Sequence, residues 1–187
     1  MRIAKRVLDV VLSGAGLVVS LPLWLIAAVA VKLEDGGPIF FSQERVGQGG
    51  RVFRVHKFRS MVPDAEAVVG ALQAREGDPR VTRVGRLLRK TSLDELPQLF
   101  NVLRGDMSLV GPRPTSFEAA TYELGQTERL EVLPGITGLW QISGRSDLEF
   151  DERLRLDVVY IERASLWLDL KILLKTVGVV FSRRGAY

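Results

Sequence analysis

The stretch Val10–Val31, VVLSGAGLVVSLPLWLIAAVAV, holds 22 residues without a charge. As a helix rising about 1.5 Å per residue it would reach roughly 33 Å, and the hydrocarbon core of a bilayer is about 30 Å thick. The stretch therefore predicts a membrane-inserted segment at the start of the fold. Basic residues flank it on both sides: Arg2, Lys5 and Arg6 precede it, and Lys32, Arg45, Arg51, Arg54, Lys57 and Arg59 follow it.

Three interpretations of this segment are open from the residues alone. A secretory signal peptide would be cleaved near Ala28-Val29-Ala30, but its apolar core normally has about 7–15 residues. A straight transmembrane helix has the right length, yet Pro22 lacks an N–H and its ring meets the carbonyl of Val18. In a re-entrant form the helix breaks at Pro22, and each half, about 15–18 Å long, dips into one leaflet and returns. Ser20 is then placed to satisfy a freed carbonyl, and positive charge at both ends favours the cytoplasmic side for both.

Composition narrows the chemistry that the rest of the chain can perform. The 187 residues carry 26 Lys and Arg against 22 Asp and Glu, a net charge of +4, with no cysteine and one histidine, His56. These counts exclude disulfide scaffolds, zinc ribbons, iron–sulfur clusters and cysteine nucleophiles. The length fits one domain with a small appendage. Chemistry must come from carboxylates, cations, hydroxyls and a hard metal ion held by oxygen.

Turn signals and apolar periodicity predict one β-hairpin and four helices after the apolar segment. The hairpin joins strands at 39–46 and 51–58 through the glycine-rich tip 47–50, and the helices cover 63–75, 82–90, 98–104, closed by Gly105, and 165–181. On the last helix an apolar stripe recurs at spacings of 3 and 4: Trp167, Leu170, Leu174, Val177 and Phe181. Core packing explains such a stripe, and so does an interfacial helix lying on a bilayer.

The segment Ser92-Leu93-Asp94-Glu95-Leu96-Pro97 has two interpretations. Ser92 and Glu95 match a capping box at a helix start. Pro97 argues against it, because its ring would meet the carbonyl of Leu93 inside that helix. A helix that begins later leaves Asp94 and Glu95 at its entrance, where the helix dipole favours their ionised forms. There Asp94 could attack phosphorus as a nucleophile, and Glu95 could hold Mg²⁺.

Cations cluster around this carboxylate pair in the sequence. Arg113 stands between two prolines, which restrict its backbone and prepare it for bidentate phosphate binding. A solvated basic face is the usual explanation of the other cations, and a surface attracted to anionic lipid is the next. They are Lys57, Arg59, Arg80, Arg83, Arg86, Arg89, Lys90 and Arg104.

Taken in order, the motifs resemble the bacterial sugar transferase family, the small monotopic phosphoglycosyl transferases also called polyprenyl-phosphate hexose-1-phosphate transferases. The resemblance runs from about Lys5 to Thr176. It rests on Lys5-Arg6-x-x-Asp9 before the apolar segment, Gln43-x-Arg45-x-Gly47, Lys57-Phe58-Arg59-Ser60-Met61, Asp94-Glu95-Leu96-Pro97-Gln98, Asn101-Val102-Leu103-x-Gly105, Met107 to Pro114, and Pro134 to Gln141.

The resemblance implies an α+β, mostly helical fold with two domains. Residues 1–33 would form the re-entrant membrane helix-break-helix at Pro22, and residues 34–187 a cytosolic catalytic domain. That domain would contain a small β-hairpin at about 39–58 and interfacial amphipathic helices around a compact core. The implied location is the cytosolic face of the bacterial inner membrane, in contact with membrane phospholipids. The chain lacks the additional N-terminal membrane helices of larger members, which is consistent with a short form or a catalytic fragment.

The implied reaction transfers a sugar 1-phosphate from a UDP-sugar to undecaprenyl phosphate and releases UMP. It is the first membrane step of glycoconjugate or exopolysaccharide assembly. Asp94 would form a phosphosugar-aspartyl intermediate, and Glu95 would bind Mg²⁺. The stretch from Gly144 to Thr176 is closer to members that use UDP-glucose or UDP-galactose. The polymer served is not specified by these residues, and neither is the oligomeric state, for which a homodimer is one possibility.

The resemblance also suggests roles for other polar residues. Arg89 and Arg86 would contact the lipid phosphate or a head group. The nucleotide and diphosphate set would comprise Lys57, Arg59, Arg113, Gln141, Arg145 and Asp157, the last supporting the site. The competing hypothesis is a non-catalytic basic membrane module for anionic lipid or nucleic acid. The net charge of only +4 and the absence of a nucleic-acid-binding signature argue against it, so no nucleic-acid partner is expected.

Overall fold

The computed structural model describes residues 2–63, 65, 77–114, 124–144 and 148–182. A long helix, α1 (Arg2–Asp35), precedes the antiparallel strands β1 (Phe40–Val46) and β2 (Val52–Phe58). Helices α2 (Arg83–Lys90) and α3 (Gln98–Arg104) follow, then strands β3 (Ser108–Val110) and β4 (Gly135–Thr137), which pair in parallel. Helices α4 (Phe150–Glu162) and α5 (Leu166–Ser182) complete the described fold. The mostly helical architecture with a small hairpin is confirmed, whereas the predicted helix over 63–75 lies almost entirely outside the described residues.

The hairpin has the predicted strands and the predicted glycine-rich tip. Its register runs from Phe40 opposite Phe58 to Val46 opposite Val52. A short 3₁₀ turn, Gln48–Gly50, closes it, with φ angles of 64° at Gly49 and 77° at Gly50. Both values lie in the left-handed region that glycine adopts without a steric penalty. The glycines are therefore required by the turn geometry.

Helix α1 is long and apolar enough to cross a membrane by length and composition. It is assigned as one helix through Pro22, so the predicted break there is not confirmed. The hydroxyl of Ser20 donates to the carbonyl of Leu17 at 3.3 Å and accepts from Trp24 Nε1 at 3.0 Å. Its partner is therefore not the carbonyl of Val18, which lies four residues before the proline.

The two ends of α1 are anchored to the same folded body. At the first end, Lys5 Nζ donates to the Val110 carbonyl at 3.0 Å, and the buried Asp9 carboxylate accepts from the N–H of Leu109 at 3.0 Å. At the other end, the Glu34 carboxylate accepts from the first N–H groups of α2. Between these anchors many apolar side chains of α1 remain exposed, including Val18, Val19, Leu21, Leu25 and Ile26.

Two apolar clusters lie on the protein side of α1. The first is centred on β2, α3, β3 and the last two helices: Val55, Val102, Met107, Leu109, Val110, Tyr160 and Ile172. The second joins the end of α1 to β2 and α2: Ala27, Val31, Phe58 and Leu88. Fully buried Asn101 connects α3 to the free edge of β2, because its side-chain amide donates to the Arg54 carbonyl and accepts from the His56 N–H.

The apolar stripe on α5 does not pack in the core. The inward side of this helix carries Asp169 and Ile172, which are both buried. Trp167 and Leu174 are 66% and 74% exposed, and Leu170 and Val177 are also exposed. The core-packing interpretation of this stripe is wrong. The helical period is correct, but a polar residue at position 169 marks the buried face.

Helix α2 is fixed closely against the chain that leaves β2. Thr82 caps its N-terminus by accepting from the N–H of Gly85. A Cβ placed on Gly85 would lie 2.0 Å from the Ser60 carbonyl oxygen, whereas one placed on Gly178 of α5 would meet nothing within 4 Å. Only a glycine fits at position 85, because the obstructing atom belongs to the backbone.

We therefore expect Gly85→Ala to lower the stability of the folded state by about 2–3 kcal/mol, since the backbone has to shift to accept the methyl group. Gly178→Ala is the matched control in another helix and should raise stability by up to about 1 kcal/mol through helix propensity. Denaturant unfolding in detergent micelles measures both. Equal effects of the two substitutions would contradict the close contact at Ser60.

Candidate active site

The carboxylate pair lies on a tight turn between α2 and α3. Ser92 has a φ angle of 56° and makes no side-chain cap hydrogen bond, so the capping-box interpretation is wrong. Leu93–Glu95 form a single 3₁₀ turn, and Pro97 stands immediately before the first residue of α3. This is the later helix start that the proline predicts, and it leaves both carboxylates ahead of the helix.

Glu95 is held by two cations from distant parts of the chain. Lys57 of β2 approaches one carboxylate oxygen with Nζ at 3.0 Å. Arg113, after β3, binds both oxygens, through Nη2 to Oε1 and through Nη1 to Oε2 at 3.3 Å. Only 18% of the Glu95 side chain is exposed, so these contacts are strengthened by low solvent access. The structure thus brings together three of the predicted site residues.

Asp94 is buried beside this cluster, yet its pKa moves in the opposite direction to that of Glu95. Burial raises the pKa of Asp94, and the adjacent Glu95 charge raises it further. Burial also acts to raise the pKa of Glu95, but the opposing effects of Arg113 and Lys57 prevail and hold it well below its usual range. Within the described residues, Asp94 accepts no side-chain hydrogen bond. The two neighbouring carboxylates are therefore chemically distinct.

Arg89 of α2 lies on the Asp94 side of the turn. Its Nε donates to the Ser60 hydroxyl at 2.8 Å, and burial lowers its pKa while the Asp94 charge opposes that shift. Arg86 is exposed on the same helix, one turn earlier. The structure therefore places Arg89 close enough to Asp94 to act on it electrostatically, and Arg86 on the outer surface.

Gln141 lies behind the Arg113 guanidinium. Its Nε2 donates to the Ile136 carbonyl at 3.2 Å, and Arg113 Nη1 approaches the same oxygen at 3.4 Å. The other amide atom, Oε1, is buried and has no hydrogen-bond partner within the described ranges. Gln141 is thus next to Arg113 and offers one unused acceptor there, while its predicted role in nucleotide binding stays a prediction.

Asp157 is linked to Arg113 through Arg129. It is 1% exposed and pairs with the buried Arg129 at 2.8 Å. Burial raises the pKa of Asp157 to about 7, although Arg129 acts to lower it. Sequence reasoning did not select Arg129. It lies in an acidic and apolar surrounding, Glu128 to Glu131, without a local pattern that would distinguish it from a solvated surface cation.

Arg59, predicted for the nucleotide and diphosphate set, is not brought to the carboxylate pair. Arg59 is buried, binds the Asp35 carboxylate at the end of α1 and donates to the Pro38 carbonyl at 2.6 Å. These contacts give it a structural role, and its predicted contact with the nucleotide stays a prediction. Arg145 lies outside the described residues.

The carboxylate pair offers oxygen ligands of the kind that Mg²⁺ prefers. No group of three or more His, Cys, Asp or Glu side chains that could hold a metal occurs within the described part of the chain. Mg²⁺ is usually bound by one or two carboxylates together with substrate phosphates and water, and the Asp94–Glu95 pair matches that donor set. A metal ion on Glu95 would compete with Lys57 and Arg113 for the same carboxylate oxygens.

A separate cleft of about 330 Å³ lies between the hairpin and the loop after α3. Its wall includes Arg51, Arg54 and Arg104, two of which are paired with carboxylates at 3.6 Å. It contains none of the predicted site residues. This cleft is therefore not the site of the carboxylate pair.

The chain belongs to the bacterial sugar transferase family, whose sequence profile matches residues 1–183. It is 48% identical to the galactosyl transferase CpsE of Streptococcus agalactiae and 46% identical to the undecaprenyl-phosphate galactose phosphotransferase of Salmonella typhimurium, over 98% and 100% of this chain. It spans only 43% and 42% of those two relatives. A UDP-glucose:undecaprenyl-phosphate glucose-1-phosphate transferase of Caulobacter vibrioides is 47% identical over 98% of this chain and 72% of its own length.

The opposed pKa directions predict opposite effects of two isosteric substitutions. Asp94→Asn should raise the unfolding midpoint at pH 7, because the unfolded chain ionises Asp94 more readily than the folded one. This gain should vanish below about pH 4, where the carboxyl group is protonated in both states. Glu95→Gln should lower the midpoint at pH 7, and its deficit should shrink as the pH falls below about 4.5. Unfolding curves recorded from pH 3 to 8 test this, and shifts of the same sign in both variants would contradict it.

Proposed function

We propose that this chain transfers a sugar 1-phosphate from a UDP-sugar to undecaprenyl phosphate and releases UMP. Membership of the family supports the reaction class. The Salmonella and Caulobacter relatives bear names that specify galactose or glucose transfer with undecaprenyl phosphate, which supports UDP-galactose or UDP-glucose as donor. The observation that carries the proposal is the difference between the two carboxylates. Glu95 holds two cations, while the buried Asp94 is the carboxylate available for phosphorus.

The reaction follows in two displacements. In the first, an Asp94 oxygen attacks the β-phosphorus of the donor, the bond from that phosphorus to the bridging oxygen breaks, and UMP leaves. In the second, an oxygen of undecaprenyl phosphate attacks the same phosphorus and Asp94 leaves, which yields undecaprenyl-diphosphate-sugar. Lys57 and Arg113 lie within reach of the same carboxylate, so they are positioned to neutralise the donor diphosphate.

Because attack needs ionised Asp94, the rate should rise with pH as this carboxyl group titrates above its usual pKa.

Mg²⁺ fits this scheme as a cofactor held by Glu95. When bound it would supply positive charge to the phosphate oxygens of the donor. Displaced from Glu95, Lys57 and Arg113 would bind those oxygens instead, and Gln141 would stay beside Arg113 through the Ile136 carbonyl. Arg89, on the Asp94 side, is the residue we assign to the acceptor phosphate, with the exposed Arg86 left for lipid head groups. These roles keep cations on both sides of the reacting phosphorus.

We also propose that the chain is monotopic on the cytosolic face of the inner membrane, with α1 entering and leaving the same leaflet and bending at Pro22. A straight helix of 34 residues would be about 51 Å long, and a spanning helix would place its two ends on opposite sides of the membrane. Both ends of α1 instead contact one folded body, through Lys5 and Asp9 at one end and Glu34 at the other. The exposed apolar side chains in the middle of α1 then lie in lipid.

The exposed stripe on α5 supports a second membrane contact. Lys5 Nζ lies 2.7 Å from Asp169 Oδ2, so the first turn of α5 is fixed beside the first turns of α1. Lys171 Nζ stands 5.1 Å from the centre of the Trp167 ring, and Lys175 is exposed on the same side of the helix. An apolar stripe edged by lysines is typical of a helix at an anionic bilayer surface. We therefore assign this stripe to phospholipid, and a homodimer stays a prediction.

UMP release tests the proposed reaction. Purified protein in detergent with undecaprenyl phosphate, Mg²⁺ and UDP-galactose or UDP-glucose should release UMP. Asp94→Asn should abolish the release, and Glu95→Gln should reduce it by at least about a hundredfold. Asp106→Asn, which alters a carboxylate paired with Arg104 away from the site, should retain activity. Release of UDP in place of UMP, or turnover by Asp94→Asn, would contradict the proposal, and salt-sensitive lipid binding without turnover would favour a non-catalytic module.

The cysteine-free chain allows a direct test of membrane topology. Ile3→Cys and Leu33→Cys place single thiols at the two ends of α1, where the native side chains are 83% and 80% exposed. In sealed vesicles of known orientation, a membrane-impermeant maleimide should label both thiols from the cytosolic side. Val19→Cys, in the lipid-facing middle of the helix, should resist labelling from either side. Labelling of the two ends from opposite sides would establish a straight span and contradict the re-entrant form.

A further inference from the structure

A buried ion pair lies behind Arg113 and does not touch the carboxylate pair. Arg129 stands in the 3₁₀ segment Leu124–Leu130, and Asp157 stands in α4. They are 8% and 1% exposed, and Arg129 Nη2 donates to Asp157 Oδ2 at 2.8 Å. Burying two charges is costly unless geometry and further hydrogen bonds compensate, so such a pair calls for a structural or functional reason.

A second hydrogen bond, made by the same Arg129 nitrogen, explains why this buried pair is present. Arg129 Nη2 also donates to the backbone carbonyl of Arg113 at 2.8 Å. Pro112 and Pro114 restrict the backbone on both sides of Arg113, so fixing its carbonyl fixes the direction from which its side chain leaves. That side chain then reaches Glu95. The path from α4 to the active site therefore runs from Asp157 through Arg129 and Arg113 to Glu95.

We propose that Arg129 is a positioning residue that aims the Arg113 guanidinium at Glu95 and at the donor diphosphate. Asp157 keeps Arg129 in place. The part that concerns the donor rests on the proposed function, whereas the part that concerns Glu95 does not. Arg129 acts through the Arg113 backbone and makes no contact of its own with Glu95 within the described residues.

A second ion pair in the chain, Lys5 with Asp169, serves as a matched control for the Arg129–Asp157 pair. Lys5 Nζ donates to the buried Asp169 at 2.7 Å and to the carbonyl of Val110 at 3.0 Å, three residues before Arg113. This second pair also joins a cation, a buried aspartate and a backbone carbonyl next to β3. Its carbonyl belongs to a strand residue whose side chain is in the core, so its loss should affect stability without redirecting a cation of the site.

The first experiment measures donor and acceptor kinetics. Arg129→Met should raise the donor KM at least about tenfold while the acceptor KM changes little, since misdirected Arg113 weakens diphosphate binding. Arg129→Lys should recover much of this loss, because Lys5 shows that an ammonium group can serve an aspartate and a carbonyl together. Asp157→Asn should fall between them, and Asp169→Asn should leave the donor KM unchanged. A donor KM that is the same in Arg129→Met and Asp169→Asn would overturn the proposal for the donor.

A second experiment does not depend on turnover. If Arg129 positions Arg113, then the effects of Arg129→Met and Glu95→Gln on the unfolding midpoint should be non-additive, although the two residues do not touch. Asp169→Asn combined with Glu95→Gln should be additive. Additivity in both cycles would overturn the positioning role. An inactive wild type with non-additive stability effects would instead reject the proposed reaction and keep the positioning role.

Discussion

The binding of Glu95 by Lys57 and Arg113 is the interaction on which the site depends. Each of the three residues comes from a different part of the chain: a strand of the hairpin, the turn before α3 and the proline-bounded loop after β3. The two cations offset the cost of placing a carboxylate in a poorly solvated position. They also bring positive charge next to Asp94, which is buried and accepts no side-chain hydrogen bond among the described residues. Glu95 binds the two cations, and in the proposed reaction the neighbouring Asp94 is the carboxylate that attacks phosphorus.

Helix α1 and the turn that carries Asp94 and Glu95 share one structural support. The end of α1 packs on Phe58 and Leu88, and Glu34 caps the first N–H groups of α2. Arg89 on that helix bonds to Ser60, directly after the strand that carries Lys57. Helix α1 therefore supports the elements that carry Lys57 and Arg89, which lie on both sides of the carboxylate pair. In the proposed function, this arrangement would support a reaction between a nucleotide sugar and a lipid phosphate at the bilayer surface.

Local signals predicted much of this fold. The glycine-rich tip and alternating strands gave the hairpin, Gly105 closed α3, and the conflict between Pro97 and a capping box placed the carboxylates before a helix. The parallel pair β3–β4 was not predicted, because three-residue strands carry too little pattern. The burial of Asp169 in place of the apolar stripe depends on Lys5, which is 164 residues away in sequence. Arg129 was missed for the same reason: its function depends on long-range contacts that no local pattern encodes.

The central claim, that Asp94 is the carboxylate that attacks phosphorus, has a direct measurement. Protein is mixed with UDP-galactose or UDP-glucose and Mg²⁺ without undecaprenyl phosphate, quenched in acid and digested, and the peptide that contains Asp94 is analysed by mass spectrometry. The account predicts a hexose phosphate attached to Asp94, which disappears when undecaprenyl phosphate is added before the quench. An active preparation whose Asp94 stays unmodified at every time point, or that carries the group on another residue, would contradict it.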